Sequence, residues 1–114
     1  MHISQMVRDV ELATFTISAY DSVRRGHADF HCTGVDDQVL INWVLTLMPA
    51  GGTLGFTDGG FILSDSILTQ ANGTHFVGIS GETLINGNGL PTGSHAIVIS
   101  GFTDCSVRDI TFRH

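Results

Sequence analysis

The run Asp36-Asp37-Gln-Val-Leu-Ile-Asn-Trp-Val-Leu-Thr-Leu-Met-Pro49-Ala-Gly51-Gly52 constrains this chain more than any other part of it, because it holds one helix between two hard stops. A carboxylate at Asp36 or Asp37 can accept the free N–H groups of a first turn and suits the positive end of the helix dipole. Pro49 disfavours helix in the residue before it, and Gly51-Gly52 releases the chain into a new direction. About three turns fit between these signals. Beyond residue 52 no second helical pattern of useful length appears. Short β-branched and aromatic runs alternate instead with glycine and asparagine turns, which predicts strands at 53–56, 61–63, 66–68, 75–79, 83–85, 96–99, 106–107 and 110–112. Upstream, residues 11–20 alternate as well and read as a strand with one apolar face through Phe15 and Ile17.

With Ala28-Asp-Phe-His-Cys-Thr-Gly-Val-Asp-Asp-Gln38 in front of it, this segment resembles the opening of the right-handed parallel β-helix proteins of the pectin-lyase-like family. There a similar run leads into a short helix that plugs the first coil. The resemblance implies an all-β fold, a right-handed parallel β-helix with a short N-terminal capping α-helix. It divides a single domain, 1–114, into a strand or arm at 1–26, a cap segment at 27–52 and coils at 53–114. The echo between Val77-Gly-Ile-Ser-Gly81 and Ile97-Val-Ile-Ser-Gly101 has a spacing of about 20 residues, compatible with one coil. Alternation turns Cys105, Val107, Ile110 and Phe112 toward the core.

Charge narrows the function. Eleven acids against five arginines and no lysine give a net charge of −6, a poor match for nucleic acid, whose phosphates call for clustered cations. The N-terminus lacks the uninterrupted apolar run of a signal peptide or membrane span. The family implies activity on acidic or complex polysaccharides. Lyases of that type need a basic residue and usually calcium held by carboxylates, and hydrolases need two or three close carboxylates. Asp58, Asp65, Asp104, Asp109 and Glu82 are spread over separate turns, so no catalytic set and no cofactor is assigned. The one metal candidate is His27, Asp29 and His31, which share a face if 26–32 is extended; Asp29 belongs to the resembling pattern for structural reasons and exposed histidines are common, so no metal site is assigned. Cys32 and Cys105 read as buried free thiols.

The helix supplies an association signal. Val39, Ile41, Val44, Leu45 and Met48 form the expected inner face, yet Leu40, Trp43 and Leu47 make a second apolar stripe. Either the strand around Phe15 and Ile17 folds over it, or a second subunit does. Phe112, near the final residue, sits in a strand with no capping sequence after it, so the chain continues, stacks on a neighbour, or ends in an unusual turn. The expected interface is therefore Leu40, Trp43, Leu47 and Phe112, used head to tail to build a filament or ring. The resulting expectation is a noncatalytic structural or adhesive module that associates with itself, extracellular, on a cell surface or in a virion, with polysaccharide as a further candidate partner. The alternative is the N-terminal segment of a polysaccharide lyase, glycoside hydrolase, epimerase or phage tailspike.

Overall fold

A computed structural model of the chain describes residues 13–113. In chain order it contains β1 (Phe15–Ser18), β2 (Phe30–His31), α1 (Asp37–Thr46), β3 (Thr53–Phe56), β4 (Gly59–Ile62), β5 (Ile67–Leu68), β6 (His75–Val77), β7 (Thr83–Asn86), β8 (Ile97–Val98), β9 (Ser106–Arg108) and β10 (Thr111–Arg113), with a 3-10 turn at Arg25–His27. Every strand pairing among the described residues is parallel. Three sheets result, in the orders β2-β1-β3-β6-β9, β10-β7-β4 and β5-β8.

The expected all-β right-handed parallel β-helix is corrected by this arrangement. The molecule is a small α/β domain with parallel sheets and a single α-helix, and no solenoid is evident among the described residues. Ile41, Val44 and Leu45 of α1 lie in the same buried cluster as Ile17, Leu54, Phe56, Phe61 and Phe76, so the helix is a layer of the core. The echo that suggested a 20-residue coil has no structural counterpart. Phe76 and Val77 pair with β3 and β9, whereas Ile97 and Val98 pair with β5 in a different sheet. Similar local sequence reflects similar strand chemistry at the two places, not a shared register.

Strand positions follow the alternation closely, although ends shift by one or two residues and the short β2 is added. The segment around Phe15 and Ile17 is no outlying arm: β1 lies inside the five-stranded sheet between β2 and β3. Residues 1–12, which include the start of that expected strand, fall outside the described residues. Phe76 and Ile79 are both fully buried because the strand stops at Val77 and the chain bends at Gly78, where a Cβ would come within 2.7 Å of the Asp109 carbonyl oxygen. At the centre, Phe56 meets Phe61 edge to face at 5.1 Å.

Two details of the helix differ from expectation. Asp36 occupies the N-cap position with φ 50° but makes no capping bond through its side chain, which instead accepts the Ser64 hydroxyl at 2.5 Å. Val39, expected inside, is exposed, while Leu40 packs partly against the core. The true outer stripe is Val39, Trp43 and Leu47, four residues apart along one face.

Candidate functional site

Parallel sheets leave open edges, and this chain treats its edges unequally. In β4 the amides of Gly59 and Leu63 donate to Glu82 and Asn86 of the β7 side, which turns the backbone of Gly60 and Ile62 away from that neighbour. Those outward groups are met by side chains. Asp21 accepts from the Gly60 N–H at 3.0 Å, Asp37 from the Ile62 N–H at 2.8 Å, and Gln38 from the Ser64 N–H at 3.0 Å. Asn42 closes β5 from both directions, donating to the Ser66 carbonyl at 3.1 Å and accepting from the Leu68 N–H at 2.7 Å. At the five-stranded sheet Asp29 accepts from the Thr16 N–H at 2.9 Å. The β4 and β5 edges are thus met by polar side chains that act as substitutes for a missing strand.

The other end is built differently. The backbone register aligns Leu54, Phe76 and Val107 in one row, Phe61, Ile85 and Phe112 in a second, and Ile67 with Ile97 in a third. Leu54, Phe76, Phe61, Ile85 and Ile67 are fully buried, but the last members are not: Val107 is 37% exposed and Phe112 46%. These side chains point to the core side, as alternation predicts, and among the described residues no further layer covers them. All residues of β9 and β10 are exposed. Between them and β8 lies a largely apolar hollow of about 370 Å³ lined by Ala96, Ile97, Val107 and Phe112. The Gly87 N–H donates to the Arg113 carbonyl, and Gly78 and Ser106 join β9 to β6 through Arg108 and Thr74. By strand alternation the N–H and C=O of Phe112 and Val107 therefore face outward.

Among the expected interface residues, Phe112 belongs to this open end and Trp43 and Leu47 to the helix. Trp43 is 52% exposed and partly covered by Phe30 at 5.7 Å edge to face, Phe30 in turn by Phe15. The stripe is thus half covered from within the chain, and Leu40 is not part of it. The two groups of residues lie on different faces.

The metal candidate is not assembled. Asp29 is engaged with the Thr16 amide, His31 Nδ1 lies 2.7 Å from the Ser18 hydroxyl, and His27 sits in the 3-10 turn. No group of three His, Cys, Asp or Glu side chains is placed to hold a metal ion among the described residues. Both thiols are free; Cys32 is buried and Cys105 only half-buried. Burial, reinforced by the nearby Asp37 carboxylate, pushes the Cys32 thiol far above its ordinary range, so it stays protonated and inert.

One polar groove, about 460 Å³, lies on the outer face of the three-stranded sheet, with Tyr20, Asp21, Glu82, Asn86 and Arg113 around it. Its acids are already committed. Asp21 holds the edge of β4, and Glu82 pairs with Arg24 at 3.0 Å, which also binds Asp58 at 3.1 Å. Burial opposes the charge of Asp58, yet the Val23 amide, the Ser22 hydroxyl and Arg24 together hold its carboxyl below the usual range. Edge-sealing by Asp21, Asp37, Gln38 and Asn42 was not read from sequence. The available signal was a helix whose inner face carries polar residues beside Ile41, Val44 and Leu45.

No helix among the described residues is long and apolar enough to cross a membrane. The chain matches no protein-family model, no curated protein and no solved structure.

Proposed function

We propose that this chain is a noncatalytic structural or adhesive module that associates with itself, suited to an extracellular, cell-surface or virion setting. One observation carries the reading: three rows of core side chains run toward one end of the molecule, and Val107 and Phe112, which finish two of them, are left exposed on strands that stand at the sheet edges among the described residues. A surface with core composition and open backbone is a template for another chain. Sedimentation of the purified chain over a wide concentration range tests it. Concentration-dependent assembly that Phe112→Glu abolishes is the expected result, and a strictly monomeric species at high concentration would refute it.

The groove beside Tyr20, Asp21, Glu82 and Arg113 favours a second reading, a segment that acts on or binds polysaccharide. Incubation with polygalacturonate, alginate and bacterial surface polysaccharides, followed by reducing-end and unsaturated-product assays, separates the two. Product formed by this chain would favour the enzyme.

A further inference from the structure

We propose that the partner at the β8–β10 end is a second copy turned about a twofold axis, tail to tail, with β10 of one copy antiparallel to β10 of the other and the two Phe112 residues facing each other. This rests on the self-association reading and fixes its geometry. It departs from the head-to-tail filament that the apolar stripe on the helix suggests.

The asymmetry of the two ends is the reason. A head-to-tail contact would set the open strands of one copy against the helix end of the next, where Asp21, Asp37, Gln38 and Asn42 are already bonded to their own edge strands. The outer helix face offers Val39, Trp43 and Leu47, with the indole N–H as their one side-chain polar group. It cannot accept the outward N–H groups of Val107 and Phe112, and a buried backbone donor left unpaired carries its full desolvation penalty.

At β10 a tail-to-tail contact has no such deficit. Phe112 presents one donor and one acceptor, and an antiparallel twofold pairs each with its counterpart, as in any hydrogen-bonded antiparallel residue pair. Charge agrees with this register: Arg113 comes opposite Thr111 of the second copy, so like charges are not directly opposed across the pair. Area agrees too. The extents of 28 and 22 Å bound the smallest cross-section at no more than roughly 600 Å² per partner, so full coverage would bury about 1,200 Å² in total, the lower limit of specific interfaces.

The test is a cross-link that only one geometry permits. In a Cys105→Ser background, Phe112→Cys places its sulfur opposite itself, at a backbone separation of about 5.5 Å that a disulfide can span. Mild oxidation is expected to give a covalent dimer and nothing larger, and Trp43→Cys in the same background none. Separately, sedimentation of the native chain is expected to stop at two copies. Phe112→Glu is expected to weaken that dimer at least about thirtyfold, as for a central interface residue, while Trp43→Glu leaves it unchanged; circular dichroism of each variant verifies the fold. Growth beyond the dimer, or assembly lost in Trp43→Glu, overturns the twofold but leaves self-association standing. A monomer under all conditions overturns both.

Discussion

Replacing Asp37 by alanine strikes the seal on the closed end at its most buried point. The side chain is 2% exposed, and its two oxygens accept from the Gly34 N–H at 3.0 Å and the Ile62 N–H at 2.8 Å. Hydrogen bonds to a charged acceptor contribute about 1.5–3 kcal/mol each, and alanine removes the acceptor of both part-buried donors. The expected loss is about 3–5 kcal/mol, a large share of the 5–15 kcal/mol that holds a domain of this size together. At about 4 °C per kcal/mol, the melting temperature should fall by roughly 12–20 °C. Urea unfolding at neutral pH and a fixed low protein concentration measures it. Asp37→Asn, which keeps one accepting oxygen, should fall between. A loss under about 1 kcal/mol for Asp37→Ala would refute the claim that this carboxylate replaces a strand, since an ordinary exposed helix-start acid is worth no more than that.

Its neighbour provides the contrast: Asp36→Gly should change stability by no more than about 0.5 kcal/mol, because glycine relieves the φ of 50° while only an exposed bond to Ser64 is lost. Gly59→Ala should cost about 1–3 kcal/mol or more in the same assay, since φ there is 103° and a Cβ would lie 2.4 Å from an Asp21 oxygen. Asp58 has a folded pKa below its unfolded value, so its contribution is fully present above the ordinary carboxylate range and is lost as the pH falls through the folded pKa. Unfolding measured from neutral pH downward should therefore show stability declining below about pH 4, with a shallower decline in Asp58→Asn. Thiol labelling of the native protein should modify Cys105 well before Cys32; equal rates would contradict the burial assigned to Cys32.

The amino-acid order determined local matters. It set the helix between Asp37 and Pro49, the strand positions after residue 52, the inward direction of Val107 and Phe112, and the acidic surface, because each depends on turn chemistry, side-chain period or composition within a few residues. The tertiary structure decided the rest. Whether strands 76–77 and 97–98 share a sheet is a matter of pairing partners, which local similarity does not encode, and the fold class changed with it. The phase of the helix, with Val39 out and Leu40 partly in, follows from where Asp37, Gln38 and Asn42 find edge backbone groups, 24 to 26 residues further along the chain. Asp29 and His31 could pass for metal ligands in sequence because their actual partners, Thr16 and Ser18, become neighbours only when β1 and β2 pair. The same holds for the candidate interface. Apolar residues at both ends look alike in sequence, but only the assembled sheets show that, among the described residues, side chains meet the edge amides of β4 and β5 while β9 and β10 stand as edge strands, and that difference is made by contacts between residues far apart in the chain.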